Sequence, residues 1–163
     1  MDEALSLTLY SHLSQACICI GLEVDEREEA LAQLAQKAEV AGLVPDHRSF
    51  IEQLKAREAE MSTGVGRGLA VPHAEVAGAK DTFVIGATLT RPVDYQALDN
   101  TPVDVIFLIG GKPGEVGLHL QLLARIARLA RQPDFLSRLR KQESAEGFIS
   151  LVEEAEKSLY PAE

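Results

Sequence analysis

The chain has 163 residues, a formal net charge of −9 and 46% hydrophobic residues, which is typical of one globular domain covering residues 1–163. The negative charge argues against nucleic acid and anionic membrane surfaces as partners, because both attract basic proteins. Since no apolar run is long enough to span a bilayer and the start Met1 to Ala4 lacks the features of a secretory leader, we expect a cytoplasmic protein without membrane insertion.

The first predicted element is a strand over residues 15–23, which are rich in Ile and Cys. Cys17 and Cys19 lie in this stretch, and successive strand positions would direct them to opposite faces of a sheet. They are too close in sequence for an ordinary structural disulfide, and no second Cys or His pair lies nearby to complete a metal site. We therefore expect two small apolar residues.

Two helices follow the strand. The first is predicted to start near Asp25 and to end at Gly42, with apolar residues recurring at helical spacing. The second is predicted to open at residues 45–46 and to end in the charged residues 55–60. The inward-facing residues of the two helices are predicted to be Leu31, Leu34, Ala35, Ala38, Phe50, Ile51 and Leu54.

The segment between Ser62 and His73 is the most informative part of the chain. It contains three alternate glycines, which are Gly64, Gly66 and Gly68. Alternate glycines allow a tight turn and expose amide N–H groups. Residues 69–71 predict a short buried strand that Pro72 ends, because proline cannot donate to a sheet ladder. His73 is therefore expected at a strand end beside exposed amides, where an imidazole could receive or release a phosphoryl group.

The second half of the chain predicts two strands and three helices. The strands are residues 82–89 and 103–109, with residues 92–95 and 98–100 as connecting structure between them and residues 110–114 as a loop. The helices are predicted over residues 116–131, 135–140 and 144–159. Strands mixed with helices predict an α/β fold with a layered architecture.

Several kinds of site are not supported by the sequence. The alternate glycines lack the spacing of a dinucleotide fingerprint, and Gly111-Lys112 is followed by Pro113 rather than by the Ser or Thr of a nucleotide-binding P-loop. Neither a Gly-x-Ser-x-Gly elbow nor a His-Glu-x-x-His helix is present. A metal ion held by His73, His119 and a carboxylate is possible in principle, but two histidines are too few for a closed zinc site.

The sequence pattern alone does not decide the roles of the remaining candidate residues. His119 lies on the same helix face as Leu122 and Ile126 and near the helix N-terminus, so it is either a core histidine or a group that meets an anion. His12 and His47 are expected to be solvated, and the residue pattern does not distinguish Arg57 from other charges of its helix.

The order of these segments resembles a known family. The chain contains Arg57-Glu58, then residues 62–73 ending in Pro-His, then residues 117–123 with the sequence Gly-Leu-His-Leu-Gln-Leu-Leu. This pattern resembles the enzyme IIA domain of the fructose/mannitol class of the bacterial phosphoenolpyruvate-dependent sugar phosphotransferase system, including its nitrogen-regulatory relatives. The resemblance extends from about Leu13 to Glu156. The family usually has Gly after the Pro-His pair, whereas this chain has Ala74.

The resemblance implies a fold, a reaction and a site. The fold would be a three-layer α/β/α sandwich with a mixed central sheet. His73 would be the phosphorylated histidine, Arg57 and His119 the other active-site residues. The loop that shapes the phosphoryl pocket would contain Thr63, Gly64, Gly66 and Gly68. No metal or cofactor is implied, because the phosphoryl donor would be another phosphohistidine.

The resemblance also implies partners and leaves two roles open. The donor would be the histidine-containing phosphocarrier protein, and the acceptor would be an enzyme IIB component. In the first role the protein is a phosphoryl carrier for sugar transport. In the second it is a nitrogen-regulatory enzyme IIA that binds a regulated protein according to the phosphorylation state of His73.

Overall fold

A computed structural model describes residues 7–161 of the chain. The sequence expectation about a leader concerns Met1 to Ala4, which lie outside the described residues. The strands are β1 (Ile18–Leu22), β2 (Gly64–Gly66), β3 (Leu69–Ala70), β4 (His73–Glu75), β5 (Phe83–Val93) and β6 (Val103–Gly111). The helices are α1 (Arg27–Val40), α2 (His47–Glu60), α3 (Val116–Ala130), α4 (Phe135–Arg140) and α5 (Ala145–Leu159).

The six strands form one mixed sheet, in which five strands follow the order β1-β5-β6-β3-β2 and β4 pairs with β6. The strands β5 and β6 form the long antiparallel centre, β1 joins β5 in parallel, and β2 joins β3 in antiparallel orientation. The short strands β3 and β4 lie one after the other along the same edge of β6, both parallel to it. The predicted mixed sheet is therefore confirmed.

Helices cover both faces of this sheet. Alternate side chains of β6 are buried in two separate apolar cores: Ile106 and Leu108 face α1 and α2, whereas Val105 and Phe107 face α3, α4 and α5. This alternation explains why β6 reads as a continuous apolar run, because both of its faces are buried. The predicted three-layer α/β/α sandwich is confirmed.

Helix boundaries follow local capping signals. Gly42 adopts φ +76° directly after α1, as predicted for a glycine that ends a helix. The Asp46 side chain accepts a hydrogen bond from the Arg48 amide and opens α2. Ser144 caps α5 in the same way by accepting from the Gly147 amide over 3.0 Å.

Four boundary predictions were wrong. The loop predicted over residues 110–114 begins only after Gly111, because β6 continues to that residue and pairs there with β4. Residues Gln15–Cys17 form a 3₁₀ turn, so the buried Cys17 precedes β1 and only Cys19 lies in the strand. The helix α1 starts at Arg27 rather than near Asp25. The strand β5 continues to Val93, because a register irregularity after Thr88 lets the chain pair again with Val103. Local sequence does not reveal such an irregularity.

The break at Pro72 was predicted, but the resumption of pairing after it was not. The strand β3 ends at Ala70, the Pro72 carbonyl accepts from the Ile109 amide over 2.9 Å, and β4 then pairs His73 with Ile109. His73 therefore begins a strand. None of the helices within residues 7–161 is both long and apolar enough to cross a lipid bilayer.

Candidate functional site

An open cleft of about 400 Å³ lies between α2 and α3, with β4 at its base. It brings together three residues singled out from the sequence, namely Arg57 from α2, His73 from β4 and His119 from α3. Its other lining residues are Gln53, Ala56, Glu60, Ala74, Glu75, Val116, Leu120 and Leu123. Residues that are distant in sequence thus meet at one place on the surface.

The imidazole of His73 is held in one orientation. Its Nδ1 lies 2.9 Å from the carbonyl oxygen of Val71. Because a carbonyl oxygen can only accept, Nδ1 carries the proton and the lone pair of the neutral ring is on Nε2. This half-buried ring therefore presents an unprotonated nitrogen to the cleft.

Arg57 points at that nitrogen. Its Nε–H donates to Nε2 of His73 over 3.3 Å, and its Nη1 donates to the carbonyl of Met61 over 2.9 Å. The rest of the guanidinium remains available to an oxygen-rich group, for which its planar fork of donors is suited. Arg57 is thus selected among the charges of α2 by its position over His73.

His119 lies in the first turn of α3, where its ring packs against Gly111. A Cβ at Gly111 would overlap this ring, so only glycine allows the contact. The Nε2 of His119 is 3.4 Å from the hydroxyl of Thr82, which itself donates to Glu115 over 2.7 Å. Burial lowers the pKa of His119, and the opposing effects of Glu75 and Glu115 are smaller. The uncharged form of this half-buried ring is thereby favoured.

The predicted loop residues lie outside this cleft. Thr63 is buried, and its hydroxyl donates to Glu58 instead of facing the cleft. Gly64 approaches Ala97 so closely that a Cβ would overlap it. Gly68 lies beside Val105 whereas His73 lies beside Ile109, which along a strand corresponds to about 13 Å. Gly66 lies near Asp99.

The expectation of exposed amides beside His73 was wrong. The glycine segment folds into the tight β2–β3 hairpin, with positive φ at Gly66, Arg67 and Gly68. The amide of Thr63 donates to Glu58, and that of Arg67 donates to Asp99. The amide of Gly64 donates to the hydroxyl of Ser62. The glycines therefore serve a hairpin and close packing, and these three amides bond to side chains instead of remaining exposed beside His73.

Ala74 replaces the glycine that the resembling family usually has, and the structure accommodates it. It lies in β4 opposite Gly110, and its φ is not positive. Its half-buried methyl group packs against the core on the side of α1 and α2. An alanine therefore fits this backbone.

The other two histidines have structural partners. The ring Nδ1 of His12 is 2.7 Å from the carbonyl of Thr8, and that of His47 is 2.9 Å from the Glu39 carboxylate. Both residues are half-buried rather than fully solvated. Within residues 7–161, the one grouping of candidate metal-ligand residues is Glu39, Asp46 and His47. Its geometry is explained by Glu39 accepting from the amide and the ring of His47.

Sequence reasoning missed several residues at or beside the cleft. Glu60 and Glu75 border it, Gly111 makes room for His119, and Thr82 holds the far side of that ring. The burial of the Glu58 carboxylate, directly after Arg57 in the chain, was also not anticipated. A glycine at the end of an apolar strand was the one available signal for Gly111, because such a glycine often marks a close approach.

Comparison with known proteins gives a consistent picture. A family model described as phosphoenolpyruvate-dependent sugar phosphotransferase system, EIIA 2, matches residues 11–155. A nitrogen regulatory protein of Bradyrhizobium diazoefficiens is 38% identical over 133 residues, which are 81% of this chain and 86% of that protein. The crystal structure of the nitrogen regulatory protein IIA-Ntr from Neisseria meningitidis superposes with a TM-score of 0.82 at 28% identity, over 88% of this chain and 97% of that one.

A third likeness concerns the fold alone. The complex of mannitol enzyme IIA and phosphorylated mannitol enzyme IIB from Escherichia coli contains a chain that matches with a TM-score of 0.73 at 19% identity. The match covers 87% of this chain and 97% of that one.

Proposed function

The chain belongs to the EIIA 2 family of the phosphoenolpyruvate-dependent sugar phosphotransferase system, and we propose that it carries a phosphoryl group on Nε2 of His73. The observation that carries this proposal is the fixed tautomer of His73. The Val71 carbonyl holds the proton on Nδ1, so Nε2 offers a lone pair at the cleft with Arg57 beside it. An unprotonated imidazole nitrogen is a competent nucleophile toward phosphorus.

The transfer balances without an added base. A bond from phosphorus to a nitrogen of the donor histidine breaks, and its electron pair returns to the donor ring. The lone pair on Nε2 of His73 forms the new bond to phosphorus. Because Nε2 carries no proton, none has to leave, and Nδ1–H keeps its hydrogen bond to Val71 throughout. The reverse steps deliver the group to an acceptor.

Arg57 and His119 have stabilising roles in this proposal. Phosphoryl transfer is accelerated mainly by positioning and by stabilising the charge on the phosphoryl oxygens. The guanidinium of Arg57 would exchange its bond to Nε2 for bonds to these oxygens, and His119 would likewise exchange its contact with Thr82 for an N–H bond to them. For Thr63, Gly64, Gly66 and Gly68 we propose a supporting role in the backbone without contact to the phosphoryl group.

The shape of the cleft supports a protein as donor and as acceptor. Val116 and Leu120 are apolar, yet their side chains are exposed at its rim, and the carboxylates of Glu60 and Glu75 lie beside them. A partner with an apolar centre and basic flanks would complement this surface. We propose the histidine-containing phosphocarrier protein as donor and an enzyme IIB component as acceptor. The fold-related mannitol enzyme IIA in complex with phosphorylated enzyme IIB supports the second of these.

A second role is supported by one comparison. The relative from Bradyrhizobium diazoefficiens is a nitrogen regulatory protein, and the match covers most of both chains. We therefore keep the regulatory role beside sugar transport, with a regulated protein as partner in place of enzyme IIB. Both roles use the same phosphohistidine. The extent of the family match, residues 11–155, supports one domain for the whole chain, and the cytoplasmic location stays a prediction.

The experiment is a phosphorylation assay with phosphoenolpyruvate, enzyme I and the phosphocarrier protein. We expect one acid-labile phosphate on His73, and ¹⁵N–³¹P coupling should assign it to Nε2. The His73→Ala variant should accept none, whereas His47→Ala should behave as the parent protein. Phosphate that persists in His73→Ala would contradict the proposal. Mixing the phosphorylated protein with a candidate IIB then separates transport from regulation.

A further inference from the structure

A buried carboxylate lies next to Arg57 in the chain and has no part in the transfer itself. Glu58 is only 6% exposed. It accepts hydrogen bonds from the amide of Thr63 over 2.9 Å, from the hydroxyl of Thr63, and from the hydroxyl of Tyr95 over 2.9 Å. Burying a carboxylate is costly unless its oxygens accept hydrogen bonds, and three donors meet this requirement at Glu58.

The surroundings of Glu58 keep these donors in place. Burial raises the pKa of Tyr95, and the carboxylate of Glu58 raises it further, so the phenol stays protonated and donates. Arg27 places Nη1 4.0 Å from Glu58 and donates to the Tyr95 carbonyl over 3.3 Å. Among the described residues, no buried side-chain nitrogen or oxygen lacks a hydrogen-bond partner.

This cluster joins the end of α2, which carries Arg57, to the backbone segment that orients His73. The helix α2 ends at Glu60, and residues 61–63 form the connection to β2, here called the α2–β2 connection. Nη1 of Arg57 donates a hydrogen bond to the carbonyl of Met61 in this connection. The carbonyl of Thr63 accepts from the Val71 amide over 2.9 Å, and the carbonyl of Val71 orients His73.

We propose that Glu58 and Thr63 are positioning residues that keep Nε of Arg57 directed at Nε2 of His73. Thr63 is held to Glu58 by two hydrogen bonds, which fix the α2–β2 connection (residues 61–63) relative to α2. The same residue fixes Val71 and, through it, the ring of His73. This inference rests on the proposed role of His73, and it gives Thr63 a function that does not require contact with the phosphoryl group.

A matched pair of variants separates positioning from ordinary stabilisation. Thr63→Val and Tyr95→Phe each remove one hydroxyl donor from the same carboxylate while keeping nearly the same shape. Only Thr63 belongs to the α2–β2 connection, which joins the helix of Arg57 to β2. We expect both variants to lower the melting temperature, because each leaves the buried acid short of one donor.

The two variants should differ in the reaction. In single-turnover transfer from the phosphocarrier protein, Thr63→Val should be slower by about tenfold or more, since small misplacements of reacting groups are costly. Its half-saturating donor concentration should stay unchanged, and Thr63→Ser should restore the rate. Tyr95→Phe should stay within about twofold of the parent protein. Equal slowing of both variants, or full activity in Thr63→Val, would overturn the proposal.

A second measurement keeps this test independent of the reaction. In ¹⁵N spectra of the unphosphorylated protein, the Arg57 Nε–H and the His73 Nε2 resonances should shift together in Thr63→Val and stay in place in Tyr95→Phe. Unchanged resonances in Thr63→Val would overturn the positioning role even if His73 is phosphorylated. Conversely, a parent protein that accepts no phosphate on His73 would refute the proposed function, while the spectra still decide the role of Thr63.

Discussion

Arg57 and His73 face each other across the cleft, with 3.3 Å between Nε of the guanidinium and Nε2 of the imidazole. The donor N–H occupies the direction from which a phosphorus atom has to approach. In the proposed reaction the guanidinium would therefore have to move aside when the phosphoryl group arrives, and its new partners would be the phosphoryl oxygens. Arg57 would then contact the accepting nitrogen before the transfer and the transferred group after it.

The first prediction concerns the charge and shape of Arg57. Arg57→Ala should slow phosphoryl transfer by about 10²-fold or more, because a charged donor to the transferring group is lost. Arg57→Lys should recover only part of the rate, since an ammonium cannot present the planar fork. The measurement is single-turnover transfer from the phosphocarrier protein. Arg48→Ala, at an exposed position of the same helix, is the control, and a comparable loss there would contradict the assignment.

The second prediction concerns the space that Gly111 leaves for His119. Gly111→Ala places a Cβ where the ring of His119 lies, so the ring has to move, at a cost of about 1–3 kcal/mol in the free energy of unfolding. Transfer should slow together with the displacement of the ring. Gly117→Ala is the matched control, because a Cβ there meets nothing within 4 Å. Chemical denaturation and transfer rates measure both effects, and a Gly111→Ala protein with parental values would refute the prediction.

The third prediction is a pH dependence of stability. Burial, together with the proximity of His73, lowers the pKa of His119 in the folded protein. The unfolded chain therefore binds a proton more readily than the folded protein does, so this stabilising contribution is complete above a pH of about 6.5 and is lost as the pH falls through the lowered pKa.

Replacing His119 should remove that dependence. We expect the difference in the free energy of unfolding between pH 7.5 and a pH of about 5 to be smaller in His119→Asn than in the parent protein. Urea titrations at the two pH values measure it. If the variant loses as much stability on acidification as the parent, His119 is not the group responsible.

The fourth prediction concerns the negative charge of Glu75. It lies two residues after His73 in β4, so both side chains project from the same face at a separation of roughly 7 Å. Its carboxylate would repel a phosphoryl group on His73. Glu75→Gln should therefore shift the phosphoryl equilibrium with the phosphocarrier protein toward this protein by about two- to fivefold.

The equilibrium fraction of phosphorylated protein measures this shift. Added salt should reduce it, because Glu75 is exposed to solvent and its charge is screened. Glu52→Gln, which neutralises an exposed carboxylate of α2 that does not line the cleft, should leave the equilibrium unchanged. An unchanged equilibrium in Glu75→Gln at low salt would show that its charge is too well solvated to matter.

Much of the secondary structure could be predicted because its determinants are local. Alternating or continuous apolar runs marked β5 and β6, helical spacing marked the helices, and Gly42, Asp46 and Ser144 marked helix ends. The errors occurred where a partner strand decides. Whether Val93 belongs to a strand depends on its pairing with Val103, and no local pattern contains that information.

The fold class and, through the resemblance to a family, the three candidate residues Arg57, His73 and His119 could be predicted from the sequence alone. The contacts that each of them makes depend on the tertiary structure. The order of strands places β4 between α2 and α3, which brings the three side chains into one cleft. The carbonyl of Val71 sets the tautomer of His73, and the β2–β3 hairpin keeps the three glycines outside the cleft. The cleft joins segments that are far apart in the chain, so it arises only when the whole sheet has formed. The contact of His73 with Val71 spans two residues and depends on the local backbone.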